Sequence, residues 1–324
     1  MLTQHFFALR KQNRSNAQHD RGSIALITAV AFLPLSLSFA VVADGGRIWS
    51  QKTSIQNEVE ASALAVAQKW TTDRTVCNTS ELSLTPNTSS ETVSCAVIPR
   101  TNGVIATVSA SSSVDLYFAQ LFGRETSSIA STASVRVGPT SRGVNVLPIA
   151  ISKDNSSLLS WIKTGMTSTQ VYKISIQSDD DDCSERAPGN WALLDLNGGS
   201  NSTSETQAWI ANGYPGVISS GESVNGKPGI PSSGLKFDSL IGKSALLPVF
   251  KSLKLSGSNA SYEIAGFVKV KITAIRLHGD SEYRHMKVVF QKDSIPGDPG
   301  STSTQNFGLT SWSVCSFDGN GDCS

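Results

Sequence analysis

The chain has 324 residues, 39% of them hydrophobic and 16% charged, a composition that sustains one large or two small globular domains with a packed core. Its formal net charge of +1 is divided unevenly: residues 1–21 hold four basic residues against the single Asp20, a net +3, so the remaining 23 basic and 25 acidic residues sum to −2. A nearly neutral body lacks the electrostatic footprint that phosphate-backbone binding requires, which excludes nucleic acid as a partner.

Residues 22–43 contain no charged side chain, and about 22 residues rising 1.5 Å each cover roughly 33 Å, enough for a bilayer core. This predicts a transmembrane helix. Arg10, Lys11, Arg14 and Arg21 lie just before it, so the positive-inside rule keeps the 1–21 tail cytoplasmic and sends the rest outward, a single-pass protein of the cell membrane. The alternative is a cleaved signal peptide, with small residues around Ser38-Phe39-Ala40 or Val41-Val42-Ala43. Against cleavage stand an apolar run longer than a usual signal core and the sequence that follows it.

From Ile48 the apolar residues Ile48, Ile55, Val59, Ala63, Val66 and Trp70 recur at steps of three, four or seven, an amphipathic helical stripe. Only Asp44-Gly45-Gly46 interrupts, so the helix is expected to continue from the membrane to about Trp70 across a soft joint. Ile48, Ile55, Val59 and Val66 form its packing face, whose partner is either the chain's own sheet or a neighbouring subunit.

Residues 71–90 read as a polar loop. Thr92–Ile98 and Gly103–Ser111 are β-prone and separated by a turn signal at Asn102-Gly103; Val114–Gly123 shows a helical face; Ser127–Gly138 alternates as a further strand. In the second half, strands are expected at 147–152, 171–178, 190–196, 244–250, 262–278 and 286–291, with helices near 203–212 and 232–242 and a long loop between 213 and 234. Within 262–278, Phe267–Ile275 alternates like a half-buried antiparallel strand with Lys269 and Lys271 facing water. The fold class is therefore α+β: a long N-terminal transmembrane and amphipathic helix, then an antiparallel, β-rich extracytoplasmic body. The expected divisions are 1–21, 22–43, 44–138 and 139–324.

All five cysteines (Cys77, Cys95, Cys183, Cys315 and Cys323) follow the apolar segment, and they lack the paired spacing or nearby His of a zinc site. Disulfides are expected between Cys77 and Cys95 and between Cys315 and Cys323, each closing a local polar loop. No catalytic or cofactor-binding constellation emerges. Gly279-Asp280-Ser281 near His278 has no downstream Asp-x-x-His to complete a triad. Gly242-Lys243-Ser244 lacks the phosphate-loop glycine, because position 237 is Phe237. Asp179, Asp180, Asp181 and Asp182 form a weak calcium candidate, and Asp318–Asp322 opens like an EF-hand loop that the chain does not complete.

Several motifs in order resemble one family. Arg21-Gly22 with the apolar run, Asp44-Gly45-Gly46-Arg47, Ile55-Gln56-Asn57 and Ala61-Ser62-Ala63-Leu64-Ala65 resemble the N-terminal module of TadE/TadG-type proteins of tight-adherence (Tad, or Flp) pilus assembly. Phe118–Gly123 and Val135–Gly138 are similar to the segment that follows in such proteins, so the resemblance runs to about residue 140. Processed TadE-like pseudopilins resemble type IVb pilins in having Glu five residues after the cleavage-site Gly; here that position is Ile27. The resemblance therefore implies an uncleaved, TadG-like accessory protein without enzymatic activity, acting in pilus assembly or adhesion and partnered by other pilus-assembly or pilin-like proteins. Some TadG proteins carry a D-x-S-x-S metal site, but Asp154-Asn155-Ser156-Ser157-Leu158 fails at its last position. Two other classes compete: an anchored or secreted hydrolase combining carboxylates of 179–195 with His278 or His285, and a polysaccharide- or surface-binding module using Trp161, Trp191, Trp209 or Trp312.

Overall fold

The protein is described by a computed structural model covering residues 20–73, 77, 92–175, 190–199, 202–228, 235–254, 260–276, 285–301 and 303–315. The first element is α1, Asp20–Asp73, 54 residues without a break, with Pro34 inside it. Gly45 and Gly46 lie within its helical run. The soft joint read from sequence is thus helical, because propagating an existing helix through two glycines costs far less than nucleating a second one.

Two compact units divide the chain: Met1–Ile55 with Pro86–Thr92 and Ser111–Ala130, and Gln56–Thr85 with Val93–Ala110 and Ser131–Ser324. In the first, α1 reaches Ile55 and meets the end of a hairpin made by β2 (Gly103–Asp115) and β3 (Thr126–Pro139). The hairpin closes with Leu116 N–H donating to Glu125 O at 2.8 Å. The residues between, 116–125, contain a short 3-10 turn at Ala119–Phe122 that stops at Gly123, whose φ of 81° is the left-handed conformation glycine adopts without strain. This corrects the expected helix over Val114–Gly123. Val114 belongs to β2, and the apolar residues after it cap the hairpin.

The second unit holds the β-rich body. One sheet has the order β1-β2-β3-β14-β13, with β1 at Thr92–Arg100, β13 at Asp293–Pro296 and β14 at Leu309–Val314. The larger sheet runs β6-β12-β11-β10-β4-β8, with β5, β7 and β9 paired beside it. Its members are β4 (Arg142–Val146), β5 (Ile151–Ser152), β6 (Tyr172–Ser175), β7 (Asn190–Asp195), β8 (Tyr214–Ser219), β9 (Ser223–Pro228), β10 (Ser244–Lys254), β11 (Ser261–Arg276) and β12 (His285–Gln291). The antiparallel expectation needs amendment. β10 pairs in parallel with β4 and β5, and β13 with β14, so the body is a mixed-sheet structure and not a barrel.

Strand β11 contributes to both apolar clusters of the body. Ala265, Val268, Val270 and Ile272 join Leu247, Val249, Trp161 and Phe290 in one cluster, while Tyr262, Ile264 and Phe267 join Phe250, Leu246 and Trp209 in another. The register slips opposite Val249 and Phe250, which changes the face to which alternate side chains belong. Five successive residues, 264–268, are consequently buried, the pattern of a central strand covered on both faces. Lys271 remains exposed, and the half-buried Lys269 pairs with Asp293.

Two helices cover this sheet. α3, Thr203–Asn212, lies where it is expected and is capped by Ser202, which accepts from Glu205 N–H at 3.2 Å. α2, Ser156–Lys163, is an addition to the sequence reading. The helix expected near 232–242 is reduced, in its described part, to a 3-10 turn at Asp238–Leu240. β8 and β9 occupy most of the expected 213–234 loop.

Candidate functional site

The first charged residue after the apolar run is Asp44, and it is only 7% exposed. A carboxylate so placed must find donors or remain in water. It finds three: the backbone N–H groups of Tyr117 (2.9 Å, to Oδ1), Phe118 (3.0 Å, to Oδ2) and Ala119 (2.8 Å, to Oδ2). These amides open the 3-10 turn, whose own N-cap residue, Phe118, supplies no side-chain acceptor. Asp44 therefore caps that turn from another element. Burial pushes its carboxyl up, but the three N–H donors and the charge of Arg47 outweigh that, and its pKa lies below the ordinary carboxylate value. Asp44 thus stays ionised at neutral pH.

Aromatic contacts surround the clamp. The Arg47 guanidinium sits 4.0 Å from the Tyr117 ring centroid, a cation–π contact. The Phe118 ring meets Phe39, a residue of the apolar run, edge-on at 5.8 Å between centroids. Beside them a groove of about 510 Å³ is lined by Ala40, Val41 and Ile48 of the helix and by Leu116, Phe118 and Phe122 of the hairpin end. The arrangement holds an element and supplies no nucleophile, acid–base pair or metal ligand set. Among the described residues no group of three His, Cys, Asp or Glu side chains converges as a metal site would.

The clamp residues were missed as a site because no local pattern links residue 44 to residues 117–119. The signal available was a lone carboxylate ending a 22-residue uncharged run.

The predicted packing face divides between exposure classes. Ile48 is half-buried, whereas Ile55, Val59 and Val66 are 5%, 0% and 8% exposed within this single chain. The chain's own residues cover these last three positions. At the helix end, Lys292 Nζ donates to Thr72 O at 3.1 Å, a cation at the C-terminus of a helix that has no basic residue in its own last turn.

Cys77 and Cys95 form a disulfide, with Cα atoms 6.0 Å apart. Cys315 is also disulfide-bonded, while Cys183 and Cys323 lie outside the described residues. Asp179, Asp180, Asp181 and Asp182, His278, Gly279-Asp280-Ser281 and Asp318–Asp322 lie outside them too.

The competing sites dissolve into structure where they are described. Trp161 is fully buried and stacks on Phe290 at 5.2 Å; Trp209 is 5% exposed and meets Tyr214 edge-on. His285 is half-buried on β12, opposite Ser175 of β6. Asn155, in the sequence that resembles a metal-site motif, caps α2 by accepting from Leu158 N–H at 3.1 Å. Gly242-Lys243-Ser244 is the turn entering β10, with Gly242 N–H donating to Ile272 O.

One polar cluster remains. Burial pushes the Asp195 carboxyl up against its backbone donors and Lys227, and pushes the Lys227 ammonium down against Asp195 and Glu205; Lys227 donates to Thr206 Oγ1 at 2.7 Å. The Lys227 to Thr206 bond ties β9 to α3.

The family model of putative Flp pilus-assembly TadE/G-like proteins matches residues 22–69. No curated protein and no solved structure matches the chain. The matched stretch lies entirely within α1 and includes Asp44, Arg47 and the buried stripe. The match covers 48 of the chain's 324 residues, and most of the β-rich body lies outside it.

Proposed function

We propose that this chain, whose helix carries the TadE/G-like module, is a single-pass membrane accessory protein of Tad (Flp) pilus assembly or surface adhesion, with residues 1–21 in the cytoplasm and the β-rich body outside. The apolar helix of residues 22–43 and the basic residues before it support this orientation. The role is mechanical and non-enzymatic.

The observation that carries the reading is the Asp44 clamp inside the matched stretch. A helix leaving the membrane is fixed to the β2–β3 hairpin end at the point of exit, so partners meet the helix and that hairpin end as one element. With Ile55, Val59 and Val66 buried, the surfaces left for those partners are the exposed side of the helix and the exterior of the body.

Deletion of the gene followed by complementation tests the role. The full chain restores surface pili and attachment, and Asp44→Ala, membrane-inserted at equal abundance, restores less. Unchanged piliation and attachment on deletion would refute the role. Protease added to intact spheroplasts should remove the body and leave the 1–21 tail; protection of the body would refute the orientation.

A further inference from the structure

The end of the β2–β3 hairpin presents a group of apolar side chains that the chain leaves uncovered. Tyr117, Leu121 and Phe122 are 58%, 78% and 71% exposed, gathered within six residues. The charged residues of this loop lie at its base, where Asp115 precedes Leu116 and Glu125 accepts the closing bond from Leu116 N–H, and at Arg124 just past the turn. Polar at its root and apolar at its tip, the loop has the distribution of an element that enters an interface.

Its position supplies the occupant. Phe118 touches Phe39, and Phe118 and Phe122 share a groove with Ala40 and Val41. Those three helix residues belong to the uncharged run, three to five residues before Asp44, or about 5 to 8 Å back along the helix axis toward the membrane. The exposed surface of the loop is therefore continuous with the exposed apolar surface of the helix, where Phe39, Val41 and Val42 are 66–71% exposed. Aromatic side chains and arginines are suited to the headgroup level, and Tyr117, Arg47, Arg124 and the 73% exposed Trp49 populate this end.

We propose that the hairpin tip, Tyr117 to Phe122, is a second membrane contact: Leu121 and Phe122 insert into the boundary between lipid headgroups and acyl chains beside the helix. The contact rests on the reading that residues 22–43 span the bilayer. It gives the first unit two membrane contacts, the helix and the tip, with Asp44 joining them.

The test uses the full chain in vesicles of phosphatidylethanolamine and phosphatidylglycerol, with photoreactive benzoylphenylalanine placed at Val30, Leu121, Phe122 or Val217, one at a time. Val30 reports the anchor, and Val217, a 53% exposed residue of β8, is the exposed control. After irradiation and mass spectrometry, lipid adducts are expected at Val30, Leu121 and Phe122 and not at Val217. Adducts at Val30 but none at Leu121 and Phe122 would overturn the tip contact while leaving the anchor intact. Crosslinks from Leu121 or Phe122 to a second copy of the chain would overturn it in favour of a protein partner. No adduct at Val30 would remove the anchor and the tip contact together.

Discussion

Replacing both Gly45 and Gly46 with Ala tests whether the helix has a yielding joint just past its apolar run. Each glycine is exposed and helical, and a Cβ built on either meets nothing within 4 Å, so the substitution introduces no clash. Glycine in a helix interior costs about 0.8–1.0 kcal/mol relative to Ala. Two such changes stabilise this turn by about 1.8 kcal/mol, which corresponds to about a 20-fold smaller local opening constant. Hydrogen exchange on the full chain in vesicles reads this directly: amides of residues 44–50 should exchange about 20-fold more slowly, with those of β10 unchanged. The amides of Tyr117, Phe118 and Ala119 should keep their protection, since the Asp44 bonds are untouched. Unchanged exchange at 44–50 would show that the glycines are not where this helix opens, and faster exchange would show that the helix is held in a geometry that Ala cannot adopt.

Further expectations concern the clamp, the disulfide and the core. Because the folded pKa of Asp44 lies below its ordinary value, its contribution is complete at neutral pH and is lost as pH falls below about 4. Protection of the 117–119 amides, corrected for intrinsic exchange, should therefore hold at pH 5–7 and fall in acid, whereas Asp44→Asn should lack the acid-dependent step. Removing the Cys77–Cys95 disulfide, which closes a loop of sequence separation 18, should lower stability by about 3 kcal/mol in denaturant titration. Trp161→Ala, which vacates a fully buried site stacked on Phe290 and loses the indole N–H bond to Ser168 O, should cost about 3–5 kcal/mol by the same measurement. A loss below about 1 kcal/mol would mean that the core around α2 contributes little.

Much of the helix and most strands were legible because their signals are local. Spacing alone placed Ile55, Val59, Ala63 and Val66 on one face, and all four are buried. The alternation around Lys269 and Lys271 located β11, though not the buried run 264–268, because the slip opposite Val249 and Phe250 is a property of pairing with β10. Pro215 and Gly216 read as loop punctuation, yet they lie in β8, a strand at the end of its sheet where a missing N–H is tolerated. α2 has eight residues, too few for periodicity to register, and only its Asn155 cap marked it. Val114–Gly123 failed for a different reason: its apolar spacing was helical, but Val114 pairs as strand and the turn that follows takes its cap from Asp44. Interactions between residues so far apart in sequence leave no trace in a local window.

On the proposed topology, that same long-range bond gives the boundary of the span a fixed level. A charged residue at the end of an apolar helix resists moving into hydrocarbon, which alone limits sliding in one direction. Asp44 is further restrained, because its two oxygens are engaged by three amides of a folded hairpin end. Drawing it inward would drag Asp115, Glu125 and Arg124 toward the acyl chains; pushing it outward would lift Phe39, Val41 and Val42 into water. Each displacement is opposed by a different group of residues, so the clamp turns two one-sided constraints into a single preferred depth. A helix that lacked the clamp but kept every apolar residue would still span the membrane, yet the hairpin tip would no longer be tied to its end. Asp44→Ala should therefore leave membrane insertion intact while lowering the yield of lipid adducts at Leu121 and Phe122, and an unchanged yield would show that the tip finds its depth without the clamp.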